Sequence, residues 1–268
     1  MLRTRRSNNS SFKIILLISL VAAIVYFFRD HFEKTEPKTI EHSTQLTKEE
    51  VVSIIKETIN EDPSFIYSAL QEYQKKQYQD RESKSKEAIS SKRSEIENSK
   101  TSPFIGNPEG SIVITGFFDV NCGYCKKAFK VVMDLIAEDK DIKFIYKELP
   151  ILGPNSVYAS KAALAVHLID PSKFVLFHTK LMETPGNPDD EKVNNIVQEL
   201  GIDANTLSEN VAKMEVQQEL EEVRNLAEQI GVHGTPAFVI EGELLPGFID
   251  QSQFKSKINE IKKRSHNG

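Results

Sequence analysis

The two cysteines of this 268-residue chain fall within four residues, Cys122-Gly123-Tyr124-Cys125. That spacing restricts the chain more than any other feature. It excludes a scaffold stapled by long-range disulfides, because closing a four-residue loop contributes only about 1.9 kcal/mol by loop entropy. A four-cysteine zinc site is excluded by count, and His31, His42, His167, His178, His233 and His266 show no paired spacing that would complete a mixed site. Redox chemistry is the leading reading of the pair, with a structural bridge and a metal pair as the lesser ones.

The flanking residues say what carries the cysteines. Ser111 to Asp119 is β-branched and aromatic and predicts a buried strand. Lys126 to Ala137 places Ala128, Phe129, Val132, Met133, Leu135 and Ile136 at helical spacing, and Ile142 to Tyr146 predicts a second strand. Strand, CxxC, helix and strand in this order predict the opening β-α-β unit of a thioredoxin-like fold. A cysteine in the first helical turn sits among unpaired backbone N–H groups at the positive end of the helix dipole, which favours thiolate over thiol. Lowering a thiol pKa from about 8.5 to about 6.5 raises the thiolate share at pH 7 from about 3% to roughly 75%. Cys122 is therefore the expected nucleophile, and Cys125, one turn on, the resolving thiol.

The remaining C-terminal pattern fits one domain over residues 103–268. Helical stripes run from Pro154 to Ile230 and predict an inserted helical domain. Gly231 to Ile240 returns to strand, with Pro236 tolerated at the strand start because it cannot donate to a ladder. Glu241-Gly242-Glu243 predicts a hairpin turn, Leu244 to Phe248 the last strand, and residues 250–263 a closing helix.

The N-terminal 102 residues read differently. Arg3, Arg5, Arg6 and Lys13 precede an uncharged run from Ile14 to Phe28. Residues 12–28 read as a short transmembrane anchor with a cytoplasmic N-terminus, and the competing reading is a signal peptide cleaved at Val21-Ala22-Ala23. Both send the rest of the chain to an oxidising compartment. Residues 29–45 read as a linker; Thr47-Lys48-Glu49-Glu50 then fits a capping box ahead of a stripe at Val51, Val52, Ile54, Ile55 and Ile59. Asp62-Pro63 restarts the helix, with Phe65, Ile66, Ala69, Leu70 and Tyr73 apolar, and residues 74–100 are almost wholly polar. Residues 29–102 are thus a linker and helical stalk. They serve either as a solvated spacer or, through the stripes, as an oligomerising segment that makes residues 47–100 a homo-oligomer contact.

Charge is consistent with this division. Residues 101–268 carry 17 basic and 24 acidic side chains, which suits no phosphate backbone, so no nucleic-acid partner is expected. The apolar share of 39% is slightly low for a globular chain, as expected if the stalk builds no core.

The C-terminal domain resembles the DsbA-like branch of the thioredoxin superfamily, bacterial envelope thiol:disulfide exchange proteins. The likeness rests on Phe117-Phe118-Asp119 ahead of Cys122-Gly123-Tyr124-Cys125, on Lys147-Glu148-Leu149-Pro150-Ile151-Leu152-Gly153, and on Gly234-Thr235-Pro236. It implies an α/β thioredoxin fold with an inserted helical domain, behind a transmembrane segment and stalk. It implies that Pro236 is cis with Thr235 facing the cysteines, and that Gly123, Tyr124, Thr235 and Pro236 contact a substrate strand by β-augmentation. It implies no cofactor, exported cysteine-containing proteins as substrates, a membrane redox partner and a periplasmic location. Gly123-Tyr124 and Thr235 resemble the disulfide-isomerase side of the superfamily, and the stalk resembles the oligomerising N-terminal segment of ScsC-type proteins linked to copper tolerance. The alternatives are a dithiol oxidase and a membrane-tethered chaperone with incidental thiols; copper binding by the two thiolates is a minor option. The prototype oxidase carries a buried Glu six residues before its first cysteine, where this chain has Gly116. Lys147 or Glu148 would have to take over its proton-transfer role, unless they are only a solvated strand end.

Overall fold

The computed structural model describes residues 21–29, 46–99 and 101–266. Residues 21–29 are helical (α1). Most of the expected membrane segment, and the linker after it, lie outside the described residues. No described helix is long and apolar enough to cross a membrane.

The chain divides into two units after Tyr67. In the first, α2 (Lys48–Glu61) begins at the expected capping box: Glu50 N–H donates to Thr47 Oγ1 at 3.2 Å, and Thr47 N–H donates to Glu50 Oε2 at 2.8 Å. The apolar stripe of α2 has no buried residue; Val51, Val52, Ile54 and Ile55 are all exposed. Helix α3 (Ser64–Ser91) starts where Asp62 Oδ1 accepts the Ser64 N–H at 3.0 Å, as Asp before Pro63 predicts.

The second unit recruits the end of the stalk. The stalk helix is interrupted at Lys92 and resumes as α4 (Arg93–Glu97). Ile89 is 2% exposed and Ile96 1%, and Ser85 Oγ donates to the Ile230 carbonyl at 2.6 Å. Ile89 and Ile96, isolated in the polar run, are thus core residues, whereas Tyr78 is exposed, and the packed core extends N-terminally of residue 103.

Five strands follow: β1 (Phe104–Gly106), β2 (Ile112–Phe118), β3 (Ile142–Glu148), β4 (Ala237–Ile240) and β5 (Glu243–Pro246). Their spatial order is β1-β3-β2-β4-β5. Only β2 and β3 are parallel, with Phe118 opposite Glu148; the other neighbours are antiparallel. Both faces of β2 are covered, which explains its nearly unbroken apolar sequence. One face holds Ile114, Phe118, Phe144, Tyr146 and Phe238 under α5 (Gly123–Glu138), α6 (Pro154–Ile169), α7 (Pro171–Glu183), α8 (Asp190–Glu199), α9 (Ala204–Val211) and α11 (Gln251–His266). The other holds Phe117, Ala237 and Val239 against Ile89, Ile96 and α10 (Met214–Ile230). The stretch from Pro154 to Ile230 is helical as expected, but its last helix covers the second face of the sheet. The β4–β5 turn has positive φ at both Glu241 (48°) and Gly242 (79°), matching the two-residue turn that suits a twisted hairpin.

Gly116 is required by this packing. A Cβ there would lie 2.4 Å from Phe144 Cζ and 2.6 Å from Phe118 Cε2, both on buried rings. A carboxylate side chain at this position has no room. Gly116→Ala is expected to cost about 1–3 kcal/mol by overpacking, measured by chemical denaturation, and a stability equal to wild type would contradict the packing argument.

Candidate functional site

The sheet delivers Cys122 to the N-terminus of α5. Cys122 is the N-cap, with extended backbone (φ −81°, ψ 117°), and its Sγ accepts the Cys125 N–H at 3.4 Å. The sulfur thus stands where a Ser or Asp oxygen commonly caps a helix. Cys122 is half-buried, Cys125 is fully buried, and both are free thiols. Burial pushes the Cys125 thiol far above its ordinary pKa, only partly opposed by hydrogen bonding from the Asp119 N–H. One cysteine of the pair is thus partly exposed and the other is not.

The structure brings Thr235 and Pro236, more than a hundred residues away in sequence, to the same place. Their peptide bond is cis, and the Cys122 thiol donates to the Thr235 carbonyl at 3.3 Å. A cavity of about 220 Å³ opens beside this loop, lined among others by His233, Gly234, Leu244 and Gly247. Gly123 has open space at its Cβ position, and Tyr124 is exposed, with Lys127 Nζ 5.2 Å from its ring centroid and Phe248 6.3 Å away ring to ring. All six residues expected at the site, Cys122, Cys125, Gly123, Tyr124, Thr235 and Pro236, belong to one cluster around the accessible sulfur or the helix it caps.

Several neighbours were not assigned roles from sequence. Asp119, at the end of β2, is fully buried; it accepts the Asn121 N–H and the Ser156 hydroxyl on Oδ1, and the N–H groups of Ile151 and Leu152 on Oδ2. An acidic residue closing an apolar strand just before CxxC was the available signal. Phe248, Ile151 and Leu152 are exposed apolar side chains near the site, which composition alone cannot mark.

Lys147 and Glu148 do not form a solvated strand end; they are 3% and 1% exposed. Alternation along β3 sends them to opposite faces. Lys147 Nζ donates to Ser102 Oγ at 2.8 Å, and the Ser102 hydroxyl in turn donates to buried Glu219. Burial lowers the Lys147 pKa, against the opposing pull of Glu219, Glu222 and Glu95. Glu148 accepts the Ser160 hydroxyl at 2.8 Å, and its Oε1 lies 3.1 Å from His178 Nε2, an ion-pair approach without hydrogen-bond alignment. A cavity of about 630 Å³ adjoins Lys147, α4 and α10 on the face away from α5, so it is separate from the cysteine site.

A redox-ready cysteine pair at the start of α5, facing a cis-proline loop across the end of the sheet, defines a thioredoxin-fold dithiol protein. Residues 113–259 match the DSBA-like thioredoxin domain family, and the chain belongs to it. It is a thiol:disulfide oxidoreductase of the DsbA family. Among solved structures, the thiol-disulfide exchange protein alpha-DsbA2 from Wolbachia pipientis is 32% identical, with a TM-score of 0.63 over 68% of this chain and 97% of that one. The catalytic domain of Proteus mirabilis ScsC is 28% identical, with a TM-score of 0.61 over 65% of this chain and 97% of that one. P. mirabilis ScsC in a transitional conformation has the same identity and TM-score over 79% of this chain and 95% of that one. Disulfide bond formation protein D of Bacillus subtilis is 25% identical over 171 residues, spanning 60% of this chain and 77% of the relative.

Proposed function

We propose that Cys122 is the attacking thiolate and Cys125 the resolving thiol of an enzyme that exchanges disulfides with exported proteins, chiefly as an isomerase. The observation that carries this reading is the asymmetry of the pair: a half-buried sulfur capping a helix against the cis-proline loop, and a buried partner one turn below. The Cys122 thiolate attacks a substrate disulfide, one substrate sulfur leaves as thiolate, and a mixed disulfide forms. In isomerisation that released thiolate, or another in the substrate, attacks elsewhere and regenerates Cys122, with no net electron transfer. In reduction the Cys125 thiol gives up its proton and attacks Cys122 Sγ, so two electrons pass to the substrate and the Cys122–Cys125 disulfide remains. Gly123, Tyr124, Thr235 and Pro236 form the surface on which the substrate strand lies, with backbone pairing at Thr235.

The isomerase direction is supported by the likeness of Gly123-Tyr124 and Thr235 to isomerases, and by the unburied stripes of α2 and early α3. The likeness to P. mirabilis ScsC reaches further along this chain for the transitional-conformation structure than for the catalytic domain, in keeping with a shared N-terminal stalk. We read residues 47–100 as carrying a homo-oligomer contact, and the site as periplasmic, held at the membrane by residues 12–28 and kept in its working redox state by a membrane partner.

Two measurements test this. The full chain, reduced, is expected to restore activity to scrambled ribonuclease without added oxidant, and alkylation trapping in cells is expected to find Cys122 mostly reduced. A fully oxidised cellular pool would instead support the dithiol oxidase. Sedimentation of the full chain is expected to give an oligomer that Val51→Glu/Ile55→Glu dissociates, and a wild-type monomer would end the oligomer reading.

A further inference from the structure

We propose that Asp119 is a positioning residue: its buried carboxylate joins the Cys122 loop to an apolar lip, Ile151-Leu152, that receives an apolar side chain next to the reacting cysteine of the substrate. This rests on the reading of Cys122 as the attacking sulfur.

The main chain of Asp119 faces the cysteines. Its carbonyl accepts the Cys122 N–H at 3.0 Å, and its own N–H points to Cys125 Sγ at 3.5 Å. Its side chain faces the loop between β3 and α6. Oδ2 takes the N–H groups of Ile151 at 2.8 Å and Leu152 at 2.9 Å; Oδ1 takes Asn121 N–H and Ser156 Oγ, both at 2.8 Å. Asn121 Nδ2 closes the ring by donating to Ser156 Oγ at 3.0 Å. Four neutral donors on one fully buried carboxylate fix three segments to each other, and one of them, at Asn121, directly precedes Cys122.

The loop so held does not bury its side chains. Ile151 is 48% exposed and Leu152 53%, although their N–H groups are anchored beneath them. An anchored backbone that presents two adjacent apolar side chains to solvent, tied through Asp119 to the Cys122 loop, is suited to contacting an apolar group at low ordering cost. The carboxylate is specific to this task. An amide in its place offers one acceptor oxygen, and its NH₂ then opposes two of the four donors.

The readout is selectivity. The reduced full-length protein is reacted with glutathione disulfide and with a mixed disulfide between glutathione and a Leu-Cys-Leu peptide, and the second-order rate constant of its oxidation by the second is divided by that for the first. Asp119→Asn and Ile151→Ser/Leu152→Ser are each expected to lower this ratio about tenfold. Ser156→Ala, which removes one of the four donors, is expected to lower it about threefold, and it decides the matter if Asp119→Asn does not fold by near-UV circular dichroism. A purely structural role slows both substrates together and leaves the ratio at its wild-type value; that result in Asp119→Asn, in Ser156→Ala or in the lip variant overturns the proposal. Failure of the wild type to react with either disulfide, or full activity of Cys122→Ser, would instead overturn the reading on which it rests.

Discussion

Cys125→Ser is expected to accumulate a covalent adduct with its substrate, whereas Cys122→Ser forms none and loses exchange by about a thousandfold or more. The reasoning starts from exposure. Cys122 is partly exposed and its Sγ caps the helix, so on the proposed roles its attack on a substrate disulfide does not require Cys125. Release by reduction does, because the second thiol must attack Cys122 Sγ from one turn below. Serine at 125 keeps the size and the acceptor for the Asp119 N–H but cannot break a disulfide, so the reaction stops at the mixed disulfide. The adduct is read as a band on a non-reducing gel, or as a mass increase, that a reductant removes. An adduct in Cys122→Ser and none in Cys125→Ser would reverse the assigned roles.

His178→Leu is expected to destabilise the domain by about 1–3 kcal/mol, the usual cost of leaving a buried polar group without its neighbour. Glu148 and His178 are both essentially without solvent contact, the His178 ring packed at a tilt with its centroid 4.6 Å from that of Tyr146 and 5.4 Å from that of Phe129. Without the imidazole, the Glu148 carboxylate keeps only the Ser160 hydroxyl. The converse change, Glu148→Gln, is expected to cost less, because the amide keeps an acceptor for the Ser160 hydroxyl. The double variant is expected to recover part of the His178→Leu loss, since no buried charge is left unpaired. Urea denaturation at pH 7 measures all three. A single-variant cost below about 1 kcal/mol for His178→Leu would mean the pair does not hold α7 to β3.

Much of the chemistry was legible without a structure. The strand ending at Phe118, the cysteine pair and the helix after it are recognised by period and spacing alone. The Thr47–Glu50 capping box, the Asp62-Pro63 start and the Glu241-Gly242 turn are equally local. Residues whose role depends on distant partners were not legible. Strand β1 is three residues long, lies at an edge and pairs only with β3, so it carries no periodic signal. Lys147 and Glu148 look like a polar strand end because their partners, Ser102 for one and Ser160 and His178 for the other, lie elsewhere in the chain. Ile89 and Ile96 look like interruptions in a solvated run until α10 and the sheet are placed beneath them.

The dithiol, its strand and its helix follow from short-range order, because hydrophobic period and N-cap geometry act over a few residues. The company Cys122 keeps does not. Thr235 meets it from 113 positions away, and Asp119 reaches Ile151 and Leu152 across 32 and 33 positions, because β2 runs between β3 and β4. That strand order is set by the burial of both faces of the sheet at once, which no local stretch of chain specifies, and it decides which residues surround the reacting sulfur.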